Sequence, residues 1–188
     1  MRDDLSQRYA AGEPKEEIRR QLCGLNVDTV LTARKTTPQR LDAVHFFDEL
    51  FGACVLVAAG RGYGLRTCLP RLPYYAAADY RVLRLAVCEL LSGAFSRSHA
   101  AEIALDVSKH TLSILISPAF DDSFPVAKKA AALHGGWFLS NGSAAELRIP
   151  AGSNTRQPLS GFAPGTLDYL RDCFSPVYTN IIFPEQGV

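Results

Sequence analysis

The chain has 188 residues, of which 47% are apolar and 21% charged. That length suits one domain with an appendage, able to bury roughly 70% of the surface its unfolded form exposes. Its 20 basic and 19 acidic residues leave a net charge of +1, which excludes whole-chain attraction to nucleic acid or to an anionic membrane. No apolar run approaches the roughly 18 residues of a membrane span. The N-terminal MRDDLSQRYA is too polar for a signal peptide. Cys23, Cys54, Cys68, Cys88 and Cys173 are odd in number and form no CxxC pair. They argue against a disulfide framework or a zinc site and point to a reducing cytoplasm.

The first predicted element is a helix in GEPKEEIRRQLCGLN. Pro14 stands at its first position, Glu16 and Glu17 in its first turn, and Ile18, Leu22 and Leu25 form a stripe that Gly24 or Asn26 ends. VDTVLTARKT has no decisive period, and Pro38 closes it. After the short apolar LDAV, the run HFFDELFGACVLVAAGRG places Phe46 or Phe47, Leu50, Cys54 and Val57 at helical spacing, with His45 near the start and Gly60 and Gly62 as the stop. GLRTCL alternates as a strand up to Pro70 and Pro73, and Pro73-Tyr74-Tyr75 reads as packing. Asp79 caps a long helix in YRVLRLAVCELLSGAFSRS. Val82, Leu83, Ala86, Leu90 and Ala94 face inward there, Arg81 and Arg84 outward, and Cys88 is core-facing or interfacial.

AEIALDVS and TLSILIS are predicted strands joined at Lys109-His110. PVAKKAAALHGG is a helix from Pro125 to Gly135-Gly136, with Lys128 and Lys129 on its solvent face and His134 against its last carbonyls. WFLS and AAELRIP form a hairpin across Asn141-Gly142, and Trp137 is expected to bury against the preceding helix. AGSNTRQPLSGFAPG reads as a linker, TLDYLRDCF as a short helix capped by Thr166, and TNIIF as an isolated strand in need of a sheet edge. Strands on one side and helices on the other make residues 40–150 an α+β, two-layer α/β sandwich. Residues 1–39 form a helical N-terminal segment, and 151–188 a linker with a short helix and a strand tail.

Several of these segments resemble the ATP-binding domain of bacterial sensor histidine kinases, the fold shared with DNA gyrase, the Hsp90 chaperones and MutL. AADYRVLRLAVCELLSGAFSRS (77–98) is similar to that family's "ADPDRLRQALLNLLSNAxKYS" segment, and ALHGGWFLSNGSAAELRIP (132–150) to its closing segment. The resemblance implies a Bergerat-type fold with a mixed, mostly antiparallel sheet and helices on one face. It also makes residues 1–39 a possible remnant of a dimerising helix. The family holds Mg-ATP through an acid and an asparagine one helical turn apart on the long helix, facing one cleft.

Here the acid is Glu89, but the asparagine position is Gly93, which has no ligand atom. The family's basic residue falls on Ser96, with Arg97 one place beyond. The aspartate that meets the adenine falls near Ser117, and the glycine-rich phosphate loop becomes Asp122-Ser123-Phe124-Pro125. Phosphate cradling needs small residues presenting backbone N–H groups, which Phe-Pro does not supply. Asp121 and Asp122 read as a solvated pair rather than a replacement Mg²⁺ site with Glu89. Glu89 itself reads as a partly exposed helix residue, since a general base is idle without a positioned nucleotide. None of His45, His99, His110 and His134 lies in the first 44 residues, where a phosphoacceptor helix would stand.

The expectation is a degenerate, cytoplasmic pseudokinase without cofactor, with Glu89, Gly93, Arg97, Ser117, Asp121, Asp122 and Phe124 lining a vestigial cleft. It would work in signal transduction through a protein partner or self-association, residues 14–34 and TNIIF being the expected contact elements. The alternative is a divergent active kinase, part of a split sensor kinase or resembling the anti-sigma-factor serine kinases. That reading needs ATP and Mg²⁺ held by a rearranged pocket of Glu89, Asp121 or Asp122, and Arg97.

Overall fold

The computed structural model describes residues 12, 14–108, 110–119, 123–151, 164–172 and 175–184. Five strands build the main sheet: β2 (Gly64–Cys68), β4 (Ala100–Val107), β5 (Thr111–Ser117), β6 (Trp137–Ser140) and β7 (Ala145–Pro150), in the order β2-β4-β5-β7-β6. β2 runs parallel to β4, and every other pairing in that sheet is antiparallel. Period-two alternation sends Ile103 and Leu105, Leu112, Ile114 and Ile116, and Leu147 and Ile149 to one buried face. The β6–β7 hairpin is set by Asn141, whose Oδ1 accepts from Ser143 N (3.0 Å) and Ala144 N (2.9 Å), with Gly142 at φ 79°. A separate ribbon pairs β1 (Gln39–Asp42) with β3 (Tyr75–Ala78). The predicted packing of Pro73-Tyr74-Tyr75 is thus in part a strand.

Three helices cover the buried face: α2 (Ala43–Ala59), α3 (Tyr80–Phe95) and α4 (Pro125–Leu133). The Asp42 carboxylate caps α2 by accepting from Val44 N (3.1 Å). Asp79 stands at the N-cap of α3 without a side-chain cap bond to its amides; its carboxylate accepts from Thr37 N (2.8 Å) and pairs with the Arg81 guanidinium. α3 buries eleven of its sixteen residues, more than one sheet-facing stripe holds, because a further layer lies outside it. That layer consists of α1 (Lys15–Thr32), α5 (Thr166–Arg171) and α6 (Pro176–Thr179). α1 packs on α4, α6 and α3, while α5 and α6 pack on α2.

Specific bonds fasten this layer. Ser92 Oγ donates to Asn180 O (3.1 Å) and accepts from Ile182 N (2.8 Å), and Asn26 Nδ2 donates to Asn180 Oδ1 (2.8 Å). The rings of Tyr63, Phe95 and Phe183 close together with centroids 5.0–5.2 Å apart. The Glu49 carboxylate accepts from both Thr166 N and Thr166 Oγ1, and these bonds hold its pKa below the usual carboxylate value.

Several expectations change accordingly. The first helix does not end at Gly24 or Asn26 but continues to Thr32, since Gly24 is exposed and stays helical. TNIIF is no strand: Thr179 ends α6, the next four residues have no regular structure, and Ile181 is buried in the chain's own core. Of the elements expected to mediate self-association, residues 14–34 and TNIIF, the side chains of Ile18, Val30 and Ile181 are buried within one chain, while Leu31 and Ile182 stay exposed. Trp137 is 39% exposed on the sheet's outer face, with the Arg148 guanidinium 4.6 Å from its ring centroid, while Phe138 points inward. Cys88, as predicted, is fully buried, and desolvation pushes its thiol up to about 12. No helix among the described residues is long and apolar enough to cross a membrane.

Candidate functional site

α3 and α4 lie side by side in opposite senses, tied at both ends. At one end, Asp79 N–H donates to His134 Nε2 (2.9 Å), so the other ring nitrogen carries the proton and donates to Ala130 O (2.7 Å). The expectation of His134 against the last carbonyls of its helix holds, and the ring also reaches α3. Burial pushes its pKa below 6.5, against the upward pull of the Ala130 bond and of Asp79. Asp79, only 2% exposed and paired with the mostly exposed Arg81, is the charged group that acts on the His134 ring among the described residues.

A lowered imidazole pKa means the unfolded chain takes up the proton first. The stabilising contribution is therefore whole above the unfolded value and falls as pH drops through the folded one. The urea midpoint is expected to decline as pH falls below about 6.5 and on through the lowered folded value, and His134→Gln, which retains an acceptor but does not titrate, should flatten that decline.

At the other end sits Glu89. Its Oε1 accepts from Val126 N (3.0 Å) and its Oε2 from Ala127 N (2.8 Å). α4 needs this help. Phe124 occupies its N-cap position with no side-chain cap, and Pro125 at the first helical position has no N–H. Val126 and Ala127 are then the leading free donors, and a carboxylate from the neighbouring helix satisfies both.

Phe124 completes the arrangement. Its backbone is left-handed (φ 33°, ψ 55°), a costly conformation for a bulky residue, and its side chain is 1% exposed. The ring lies against Phe138 (centroids 5.5 Å apart) and directly over Gly93. A Cβ at Gly93 would fall 2.5 Å from Phe124 Cε1 and 2.8 Å from Cζ, so the ring occupies the volume that any side chain at this position would need.

Of the residues expected to line the cleft, the structure brings Glu89, Gly93 and Phe124 together, in roles the sequence reading did not foresee. Arg97 lies beyond the C-terminal end of α3 and is exposed. Ser117 ends β5, pairs in register with Glu102, and lines a shallow depression with Gly64, Arg66 and Ala100 instead of meeting Glu89. Asp121 and Asp122 lie outside the described residues. Among the described residues no cluster of His, Cys, Asp or Glu has a metal-holding arrangement. The missed role of Glu89 had a signal in the sequence: a Phe-Pro start leaves the amides of α4 without a local cap, which requires a donor-satisfying group from elsewhere.

No family model and no curated protein matches the sequence. Solved structures do. A histidine kinase from Burkholderia phymatum aligns over 80% of this chain and 86% of its own, at 16% identity and a TM-score of 0.53. The Acinetobacter baumannii histidine kinase AdeS aligns over 72% of this chain and 76% of its own, at 14% identity and 0.52. The ATP-binding domain of PrrB from Mycobacterium tuberculosis aligns over 62% of this chain and 98% of its own, at 21% identity and 0.50. The fold is that of a histidine-kinase ATP-binding domain.

Proposed function

We propose that the chain is a histidine-kinase-like ATPase domain that does not bind magnesium nucleotide and acts in bacterial signal transduction through protein contacts. The observation that carries this reading is the Phe124 ring seated on Gly93, in the space where the family's metal-ligating amide would project. The residues present do not fit Mg-ATP. Glycine offers no ligand oxygen, the leading amides of α4 already donate to Glu89, and the carboxylate that would serve as base is engaged in that bond. A scaffold that retains its sheet, helices and hairpins without this chemistry still presents shaped surfaces.

Titration with Mg-ATP and with a non-hydrolysable analogue tests the reading. A site of micromolar affinity would add about 4 kcal/mol of stability at a thousandfold ligand excess, a rise of roughly 8–16 °C in Tm. The expected result is a flat melting temperature and no calorimetric heat. Saturable binding would restore the active-kinase alternative.

A further inference from the structure

We infer that Glu89 is a built-in ligand: with the Phe124 ring it locks α4 onto α3, so this pair of helices keeps one arrangement without any bound anion. The inference rests on the nucleotide-free reading and states how the same cleft is regulated, namely by permanent occupation from within. Two independent observations meet here. The carboxylate engages the start of α4 bidentately, one oxygen to Val126 N and the other to Ala127 N, which satisfies by an internal anion what an external one would otherwise satisfy. The neighbouring Phe124 is held left-handed and buried against Gly93 and Phe138, a conformation that persists only where its surroundings over-determine it. Glu89 and Gly93 are one helical turn apart on α3, so the carboxylate and the socket for the Phe124 ring hold the start of α4 from a single face. An incoming phosphate would meet paired amides and a like charge.

The test compares the unaltered domain with Glu89→Ala and Glu89→Gln by thermal unfolding at constant pH, in sodium phosphate and in sodium chloride of matched ionic strength. Phosphate stabilises proteins generally by exclusion from their surface, so the readout is the gain of each variant relative to the unaltered domain. Glu89→Ala is expected to melt roughly 3–6 °C lower in chloride and to recover about half of that loss in tens of millimolar phosphate, because the emptied amides donate to the ion instead. A Glu89→Ala domain that melts with the unaltered one in chloride, or that gains no more from phosphate than it does, overturns the inference.

Should Glu89→Ala fail to fold, Glu89→Gln keeps the side-chain shape and one acceptor. Its Val126 or Ala127 amide is then expected to exchange hydrogen about tenfold faster than in the unaltered domain, and unchanged exchange at both overturns the inference equally. Mg-ATP binding by the unaltered domain would sink the nucleotide-free reading. Indifference of Glu89→Ala to phosphate sinks only the built-in ligand.

Discussion

Gly136→Ala is expected to destabilise the domain by more than about 3 kcal/mol, far beyond an ordinary single-methyl change. A Cβ at this position would stand 2.0 Å from the carbonyl oxygen of Arg148 and 2.8 Å from Ile149 Cα. Both are backbone atoms of β7, locked in register between β5 and β6, so no side-chain rotation relieves the overlap. Gly135, one residue earlier, is a glycine for a different reason. It takes φ 69° at the end of α4, and nothing lies within 4 Å of where its Cβ would be. Gly135→Ala should therefore cost only the left-handed penalty of about 1–2 kcal/mol. Urea unfolding of the two variants separates the roles, and a Gly135→Ala variant weaker than Gly136→Ala would refute the assignment. The consequence reaches the site, because this junction sets where α4 leaves the sheet and hence whether its far end meets Glu89.

Apart from the β1–β3 ribbon, which the sequence reading missed, the order of strands and helices between residues 41 and 150 was legible because each element carries its own period and stop signal. The Asn141-Gly142 turn and the Pro125 start are local chemistry and appear as read. The outer layer was not legible, since α1 and the tail are identified only by what they cover. One sign of it existed: Leu85 and Cys88 lie off the predicted inward stripe of α3 and are nevertheless buried, as an all-round apolar helix implies. The burial of Trp137 was misjudged by one step of the strand alternation, which turns Phe138 rather than Trp137 toward the helices. Gly93 was readable as a missing ligand. That its emptiness is the complement of Phe124, and that Glu89 caps α4, depends on the approach of two helices more than thirty residues apart in the chain.

A double-mutant cycle on Gly93 and Phe124 should show a change of sign. Phe124→Ala alone removes a fully buried ring, a loss of about 3–5 kcal/mol, lessened by about 1 kcal/mol as alanine tolerates the strained backbone better. Gly93→Ala alone combines two opposed effects. Alanine favours the helix by about 1 kcal/mol, but its methyl group meets a ring pinned between α3 and Phe138, and such overpacking costs about 1–3 kcal/mol. The net is a loss in the unaltered background. In the Phe124→Ala background the ring is gone, only the propensity gain survives, and Gly93→Ala should stabilise by about 1 kcal/mol. The coupling between the two positions then equals the overpacking cost, about 1–3 kcal/mol, outside the additivity expected of independent sites.

Four urea curves with equal slopes measure it. Were Gly93→Ala stabilising in both backgrounds, the ring would be free to swing aside and the space beside α3 open to a ligand, and the argument against a bound metal would lose its footing. A sign change instead makes the glycine and the phenylalanine one device, in which the absent side chain on α3 is the socket for the strained one at the start of α4.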